Sequence, residues 1–233
     1  MNGSIVVTGA ARGIGRAIAE RLAANPSFTV IGVDLAPELA LGNEEIVPVQ
    51  VDLTTDTGIE AVRGAVTEAG VPLLGLVNNA GITRDARLIN MSDEDFAAVL
   101  DVNLGAALRL STALAGLMSD GGSIVNIASR AYLGNFGQFN YSMSKGGIVG
   151  MTRAMALSLA PAVRVNAIAP GLIGTEMAMA IPDDVLEKMV AAIPLERMGV
   201  PEEIANVVWF LLTPLSSYIT GHVVVVGGGR SLS

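Results

Sequence analysis

The feature that most constrains the fold of this 233-residue chain is a regular alternation of short apolar runs with alanine-rich stretches. The runs are rich in valine and isoleucine and nearly free of polar positions, which is typical of strands buried on both faces of a parallel sheet. The predicted strands are 4–8, 28–33, 46–51, 74–78, 123–127, 163–168 and 222–226. The predicted helices are 13–24, 57–69, 93–118 with a break near Gly105, 140–160, 183–191 and 201–213. This order predicts an α/β fold in which a single domain, residues 1–233, holds a doubly wound parallel sheet with helices on both faces.

The composition excludes several classes of function. Charged residues interrupt every apolar run before about 18 residues, so no membrane-spanning segment is predicted. The formal net charge of −8 and the lack of a basic run argue against nucleic acid or an anionic membrane as a partner. The chain has no cysteine, which excludes disulfides, thiolate nucleophiles and cysteine-ligated zinc, and we predict no metal site. A strand begins at residue 4 and leaves no room for a signal peptide, so we expect a cytoplasmic protein.

A glycine-rich turn lies between the first predicted strand and the first predicted helix. It reads TGAARGIG from residue 8 onwards, and it contains Gly9, Gly13 and Gly15 together with Arg12 and Ile14. Glycine permits a tight turn and a close approach of the backbone to a phosphate, and the helix N-terminus supplies amide donors and a positive dipole. The position of this motif after a strand and before a helix predicts a dinucleotide-binding turn, and hence a Rossmann-type domain.

Residues at the ends of the next three strands extend the predicted cofactor site. Asp34 lies 19 residues beyond Gly15, near the spacing of an acid that binds the adenosine ribose hydroxyls. Its carboxylate would repel a 2′-phosphate, so NAD(H) is favoured over NADP(H), although Arg12 could reach such a phosphate. The later strand ends carry Asp52, Leu53, Asn78, Asn79, Ala80 and Gly81. For the two asparagines, bracing of neighbouring strands and direct contact with the cofactor are both open.

One pair of side chains is suited to proton transfer. Tyr141 and Lys145 are four residues apart, so they lie one above the other on a single helix face. A nearby ammonium favours the phenolate, and we therefore expect Lys145 to lower the pKa of Tyr141 from its ordinary value of about 10. The only histidine, His222, lies far along the chain, which leaves the tyrosine as the leading acid–base candidate.

In their order along the chain, these motifs resemble those of the short-chain dehydrogenase/reductase family. The resemblance extends from Ser4 to Gly229 and rests on TGAARGIG, Asp52-Leu53, NNAG, Asn103, Ser129, YSMSK, and Pro170-Gly171 with Thr175. The spacing of the first two glycines is similar to that of the compact branch of the family. GITRD at 81–85 and SSYITG at 216–221 resemble bacterial 3-oxoacyl-acyl-carrier-protein reductases and their relatives.

The resemblance implies a role for each matching residue. Tyr141 would be the catalytic acid/base, and Lys145 would bind the nicotinamide ribose. Ser129 would donate to the reacting oxygen, and Asn103 would hold a water that links Lys145 to solvent. The cofactor contacts would continue through Pro170, Gly171, Ile173 and Thr175, of which the last two would bind the carboxamide. The reaction implied is hydride transfer between NAD(H) and a secondary alcohol or ketone.

The flexible methionines of 172–193 predict an adaptable substrate lid. The resemblance also implies a homotetramer built through 93–118, 140–160 and the C-terminal segment. Apolar side chains flanking the nicotinamide favour a small or medium-sized apolar substrate, unless they pack against a neighbouring subunit. They are Tyr132, Leu133, Phe136, Phe139, Met177, Met179, Ile181 and Met189. Arg84 and Arg130 could meet a substrate anion, and a solvated role is the alternative.

Two departures from the family pattern bear on this interpretation. Ser129 and Tyr141 are 12 residues apart, one fewer than in many relatives, and the intervening loop is expected to absorb the deletion. Carrier-protein reductases place basic residues near the ends of the two long interface helices, but 117–121 and 158–162 contain neither lysine nor arginine. With the net charge of −8, this predicts poor attraction to an acidic acyl carrier protein. A 3-oxoacyl thioester reductase remains an alternative function, and so does a nucleotide-sensing protein without catalysis.

Overall fold

The computed structural model describes residues 2–36, 45–179 and 181–230, and it confirms the predicted parallel sheet. Its strands are β1 (Gly3–Thr8), β2 (Phe28–Asp34), β3 (Ile46–Gln50), β4 (Leu73–Asn78), β5 (Met118–Ile127), β6 (Val163–Pro170) and β7 (Val223–Val226). Within the described ranges these strands are hydrogen-bonded in the order β3-β2-β1-β4-β5-β6-β7, and every neighbouring pair is parallel.

The chain reverses its direction across the sheet between β1 and β4. β2 and β3 follow β1 on one side, while β4 to β7 follow one another on the other side. In an open sheet of this kind the loops after the two central strands diverge, and they leave a crevice at the carboxyl edge where ligands bind. The glycine-rich turn after β1 and the Asn78-Asn79 pair at the end of β4 therefore meet at this crevice.

Helices cover both faces of the sheet. They are α1 (Gly13–Ala23), α2 (Asp56–Glu68), α3 (Asp93–Leu100), α4 (Ala106–Ala115), α5 (Phe139–Leu159), α6 (Glu176–Met179), α7 (Asp183–Ala191) and α8 (Pro201–Leu212), with short 3-10 turns at Leu88–Asn90, Arg130–Leu133 and Pro214–Ser216. α1 and α8 pack together on one face, whereas α2 and α4 pack on the other. Successive strand side chains alternate between the two layers, so Val7 joins the α1–α8 core and Val6 joins the α2–α4 core.

The structure corrects the predicted helix at 93–118. The helix is not broken near Gly105, because α3 continues through one wide π-helical turn, Asp101–Gly105, directly into α4. Such a turn widens the hydrogen-bonded ring by one residue without ending the helix. The helix then ends at Ala115, and β5 begins at Met118, earlier than predicted, because Met118 already pairs with Leu73 of β4. The short helix α6 has no counterpart among the predicted helices.

One described helix, the continuous segment Asp93–Ala115, is long and apolar enough by composition to cross a membrane. In this fold it lies against the sheet, and Val99, Leu110 and Leu114 are completely buried. Leu110 and Leu114 belong to the α2–α4 core, and 33% of the apolar stretch of this helix is buried inside the protein.

Candidate active site

The glycine-rich turn has the backbone shape that the sequence predicts. Gly9 and Gly13 have φ angles of 66° and 55°, a region that residues with side chains rarely adopt. A Cβ at Gly9 would lie 2.7 Å from Asn79 Nδ2, and a Cβ at Gly15 would overlap the carbonyl oxygen of Gly9. Among the described residues, no side chain caps the start of α1, and the first turn of this helix has no acidic residue. The amide groups of this helix N-terminus are therefore suited to an anionic ligand such as a pyrophosphate.

Asp34 lies at the end of β2 and contacts the glycine-rich turn. Its two carboxylate oxygens accept hydrogen bonds from Ala11 N at 2.9 Å and from Ala36 N at 3.0 Å. These bonds fix a negative charge at the edge of the crevice. Arg12, in the same turn, forms an exposed ion pair with Glu176, whose carboxylate is 3.1 Å from the guanidinium. Because Glu176 follows Thr175 directly, this pair joins the two sides of the predicted cofactor cleft.

The asparagines at the end of β4 brace the strands around them. Asn79 Nδ2 donates to the carbonyl oxygens of Thr8 at 2.9 Å and Gly9 at 3.2 Å, which ties β4 to the end of β1. Asn78 Nδ2 donates to Asn126 Oδ1 on β5 at 2.8 Å. Both asparagines therefore brace neighbouring strands, which was one of the two roles that the sequence allowed. Contact of Asn79 with a cofactor stays a prediction.

The residues after β3 form the turn that leads into α2. The Asp52 carboxylate accepts hydrogen bonds from Thr54 Oγ1 at 2.7 Å and Thr54 N at 2.8 Å, and these bonds lower the pKa of Asp52. Leu53 is buried in the α2–α4 core. Asp52 thus keeps its charge at the crevice edge, and the predicted cofactor contacts of both residues stay predictions.

Ser129, Tyr141 and Lys145 come together at the carboxyl end of β5. The Ser129 hydroxyl lies close enough to the Tyr141 phenol to lower its pKa, and it also accepts a hydrogen bond from Ala131 N at 3.1 Å. Lys145 Nζ lies 5.6 Å from the centre of the Tyr141 ring and donates to the carbonyl oxygen of Ile127 at 2.8 Å. The shortened loop between Ser129 and Tyr141 thus still allows their side chains to meet.

The expected effect of Lys145 on Tyr141 is wrong in this structure. Burial raises the pKa of the Tyr141 phenol, the hydrogen bond with Ser129 lowers it by less, and the negative charge of Asp85 raises it further. Lys145 is only 4% exposed, and burial lowers its own pKa to about 8. Helical spacing brings the two side chains together, but the ammonium bonds to the Ile127 carbonyl instead of the phenol oxygen.

Asn103 lies in the π-helical turn and is buried. Its Oδ1 accepts from Ile82 N at 2.8 Å, and its Nδ2 donates to Ser144 Oγ at 3.0 Å. A Cβ at Gly81 would lie 3.1 Å from Asn103 Oδ1 and 3.6 Å from Lys145 Nζ, so the glycine lies directly beside both groups. Wide helical turns of this kind occur frequently at functional sites. The structure therefore places Asn103 beside the lysine, while its role in holding a water stays a prediction.

The segment after β6 forms the opposite wall of the crevice. β6 ends at Pro170, and Gly171 N donates to a β7 carbonyl at 2.8 Å. Thr175 N donates to the carbonyl oxygen of Ile173 at 2.8 Å. A Cβ at Gly13 would lie 3.5 Å from Thr175 Cγ2, so this wall reaches the glycine-rich turn. The predicted nicotinamide and phosphate sites are thereby neighbours.

The predicted lid at 172–193 contains α6 and α7, and its apolar neighbours are mostly open to solvent. Leu133 is 61% exposed and Phe136 is 84% exposed, whereas Tyr132 packs against a core cluster. Phe139 stacks on Phe96 with ring centres 6.0 Å apart. The side chain of Met177 lies outside the described residues. The predicted apolar wall is therefore an open surface near the site.

A small cavity next to the lid is not lined by the tyrosine. It has a volume of about 110 Å³ and is lined by Leu172, Ile173, Ile193 and Leu195, among others, beneath the lid. In the described parts of the chain no group of three histidine, aspartate or glutamate side chains could hold a metal ion.

Sequence reasoning missed three residues beside the site. Glu176 pairs with Arg12, and Gln138 Nε2 donates to Asp85 Oδ2 at 2.8 Å. Asp85 belongs to the GITRD motif, and Gln138 lies three residues before Tyr141. Their positions within or beside motifs that match the family could have identified both residues from the sequence. Arg84, considered for a substrate anion, pairs with Asp95 at 3.6 Å.

A dinucleotide-binding turn that faces a serine–tyrosine–lysine group defines a class of nicotinamide-dependent oxidoreductases. Comparison with known proteins agrees with this class. The family model described as enoyl-(acyl carrier protein) reductase matches residues 9–231. The 3-oxoacyl-[acyl-carrier-protein] reductase FabG of Aquifex aeolicus is 42% identical over 236 residues, which cover 96% of this chain and 95% of that protein.

Further relatives agree in both sequence and structure. The acetoacetyl-CoA reductase of a Synechocystis species is 42% identical over 234 residues, which cover 97% of this chain and 95% of that protein. A solved short-chain dehydrogenase/reductase from Brucella melitensis, described as a glucose/ribitol dehydrogenase, superposes with a TM-score of 0.92. It is 35% identical, and the match covers 98% of this chain and 96% of that one. This chain belongs to the short-chain dehydrogenase/reductase family. It is accordingly an oxidoreductase that acts on CH–OH or keto groups with a nicotinamide cofactor.

Proposed function

We propose that this protein transfers a hydride between NAD(H) and a secondary alcohol or ketone, and that its substrate is small to medium-sized and apolar. The observation that carries the proposal is the contact of Ser129, Tyr141 and Lys145 beside the dinucleotide-binding turn. Leu133 and Phe136, exposed next to this group, support an apolar substrate. A nucleotide sensor without catalysis would need none of the three polar side chains.

In this proposal each polar side chain of the site has a separate role in moving the proton. Ser129 donates to the reacting oxygen, and Tyr141 exchanges a proton with that oxygen through its hydroxyl. The raised pKa of Tyr141 keeps the phenol protonated near neutral pH, which suits donation to a ketone oxygen. Lys145 holds its ammonium near the ring through the Ile127 carbonyl, and Asn103 continues the proton path towards solvent. When bound, the nicotinamide supplies or accepts the hydride.

We propose NAD(H) as the preferred cofactor. The Asp34 carboxylate, held by two backbone amides, would repel a 2′-phosphate by its charge. Arg12 is engaged by Glu176, and the residue after Asp34 is leucine, so no second cation follows. The residues that would hold the cofactor are Gly9, Arg12, Gly13, Ile14, Gly15, Asp34, Asp52, Leu53, Asn79, Ala80, Gly81, Tyr141, Lys145, Pro170, Gly171, Ile173 and Thr175.

A second candidate is reduction of a 3-oxoacyl thioester. Two relatives at 42% identity are described as a 3-oxoacyl-[acyl-carrier-protein] reductase and an acetoacetyl-CoA reductase, which favours this chemistry. The net charge of −8 and the lack of basic residues at 117–121 and 158–162 disfavour an acidic carrier protein. Within this candidate, coenzyme A is therefore the preferred carrier of the acyl group.

We propose that the protein acts as a homotetramer in the cytoplasm. Leu108 on α4 and Leu157 on α5 are large apolar side chains open to solvent, and Leu157 is 85% exposed. Tyr218 and Val225, near the C-terminal end, are exposed in the same way. Association through these surfaces would cover apolar area that a monomer leaves in water. Sedimentation at several protein concentrations tests the proposal, and a species of monomer mass throughout would contradict it.

The proposed function is tested with purified protein, NADH and NADPH, and three substrate sets. These are simple ketones, acetoacetyl-CoA, and an acetoacetyl group on acyl carrier protein. We expect NADH oxidation with the apolar ketones. Turnover confined to the carrier-bound substrate would contradict the proposal, and turnover with acetoacetyl-CoA alone would establish the second candidate.

A further inference from the structure

The segment after β4 lies alongside the residues that precede the catalytic helix α5. The carbonyl oxygen of Arg84 accepts from Asn140 Nδ2 at 2.9 Å, and Ala86 pairs with Gln138 in an isolated parallel bridge. These contacts join residues more than 50 positions apart at the outer side of the site. We refer to residues 84–87 and 135–140 together as the entry clasp.

Side chains strengthen the entry clasp on its solvent side. Gln138 Nε2 donates to Asp85 Oδ2 at 2.8 Å, and Asn135 Nδ2 donates to Gln138 Oε1 at 2.7 Å. The guanidinium of Arg87 lies 5.6 Å from the centre of the Phe136 ring, within reach of a cation–π contact. Gln138 thus has its amide nitrogen bonded to Asp85 and its amide oxygen bonded to Asn135, and its orientation is fixed.

The entry clasp acts directly on the position of the tyrosine. Asn140 is completely buried, and its Oδ1 accepts from Tyr141 N at 2.7 Å. The same side chain donates to the carbonyl oxygen of Arg84, so the first turn of α5 is tied to the 84–87 segment of the clasp. A shift of this segment would therefore move the backbone that carries the Tyr141 hydroxyl.

Charged groups act on Tyr141 from two elements. Lys145 lies on α5 itself, and Asp85 lies in the entry clasp. The lid contributes Glu176, whose carboxylate is engaged by Arg12. The negative charge of Asp85 opposes formation of the phenolate and adds to the effect of burial on the pKa of Tyr141.

We propose that Asp85 is a positioning residue for Tyr141: through Gln138 it holds the start of the catalytic helix, and it contributes a negative charge to the surroundings of the phenol. The inference rests on the proposed proton transfer by Tyr141.

Two variants separate the charge of Asp85 from its hydrogen bond. Asp85→Asn keeps an oxygen that can accept from Gln138 but removes the charge. Gln138→Ala removes the hydrogen bond and leaves the charge. Asp120→Asn is the matched control, because Asp120 is an exposed acid at the opposite end of β5 from Ser129. All three proteins are compared with the wild type after circular dichroism has shown the same fold.

The readout is titration of the tyrosine ring carbon that bears the hydroxyl, followed by NMR on protein labelled with 13C at that position. Tyr141→Phe assigns the signal among the three tyrosines. We expect Asp85→Asn to lower the Tyr141 midpoint by roughly half a pH unit at low salt, and the shift should shrink in 1 M salt. We expect Asp120→Asn to leave the midpoint unchanged. An Asp85→Asn midpoint equal to that of the wild type would overturn the inference.

Activity provides the second readout. We expect Gln138→Ala to lower kcat roughly threefold to tenfold, the loss expected for one hydrogen bond, with an unchanged Kd for NADH. Asp85→Glu, which restores the charge, should return the midpoint towards that of the wild type. An unchanged kcat in Gln138→Ala would overturn the positioning role. If no ketone is turned over at all, the proposed function fails, but the titration still decides whether Asp85 controls the Tyr141 proton.

Discussion

Lys145 allows a prediction that links stability to the catalytic site. Burial lowers its pKa from 10.5 to about 8, so the folded protein holds an ammonium in an environment that disfavours its charge. One pKa unit corresponds to 1.36 kcal/mol, and the charge therefore costs about 3 kcal/mol of folding stability at pH 7. Lys145→Met keeps an unbranched side chain without the charge, but it loses the hydrogen bond to the Ile127 carbonyl, worth about 1 kcal/mol. We expect this variant to be about 2 kcal/mol more stable than the wild type at pH 7, and inactive.

The pH dependence of this difference has a definite sign. Between pH 8 and pH 10.5 the unfolded chain keeps a proton on Lys145 that the folded protein has released, so the stability of the wild type rises with pH in this window. At pH 9.5 the charge on Lys145 therefore lowers the free energy of unfolding of the wild type by about 2 kcal/mol less than it does at pH 7. The advantage of Lys145→Met should shrink by the same amount. Tyr141 contributes little up to pH 9.5, because its pKa is raised in the folded protein.

The assay is urea unfolding at pH 7 and pH 9.5, followed by circular dichroism at one fixed protein concentration. Lys188→Met is the control, because Lys188 is the only other lysine and its side chain is 80% exposed. We expect this control to match the wild type at both pH values. A Lys145→Met protein that is less stable than the wild type at pH 7, with the same difference at pH 9.5, would refute the reasoning that Lys145 is a desolvated cation.

Three further predictions concern the cofactor site. Asp34→Asn keeps an acceptor for Ala11 N but removes the charge, and it should raise the ratio of NADPH to NADH efficiency by about tenfold in steady-state kinetics; an unchanged ratio would count against the ribose site. Glu176→Gln releases Arg12 and should lower the KM for NADPH by about threefold, since exposed ion pairs contribute less than about 1 kcal/mol; a KM for NADPH that stays constant would exclude competition between Glu176 and the phosphate. Gly15→Ala should weaken NADH binding at least about tenfold by fluorescence titration, because its methyl group would overlap the Gly9 carbonyl; normal affinity would show that the turn adapts.

The sheet and the cofactor turn could be predicted because their signals are local. The strands consist of nearly continuous apolar residues, and Gly9 and Gly13 have the positive φ angles that a tight phosphate-binding turn requires. The sequence places Met118 in a helix, which is wrong, because residues between Ala115 and the apolar run carry no strand pattern and the pairing with Leu73 of β4 is a long-range contact.

The interactions that set the chemistry are not local and could not be predicted. The spacing of Tyr141 and Lys145 places them on one helix face, but it does not fix the partner of the ammonium, which is the Ile127 carbonyl from β5. The wide turn around Asn103 has no sequence signature, because a π turn differs from an α-helix only in its hydrogen bonding. Pairing of Arg12 with Glu176 joins residues 164 positions apart and depends on the folded crevice.

The central claim is that Tyr141 transfers the proton to or from the substrate oxygen. Its most direct test compares the wild type with Tyr141→Phe, in NADH oxidation with a ketone and in NADH binding by fluorescence. We predict that the rate falls by about a thousandfold while the Kd for NADH stays within about twofold, because the hydroxyl acts on the reacting oxygen and not on the fold. A phenylalanine variant that retains more than a tenth of the wild-type rate would contradict the assignment.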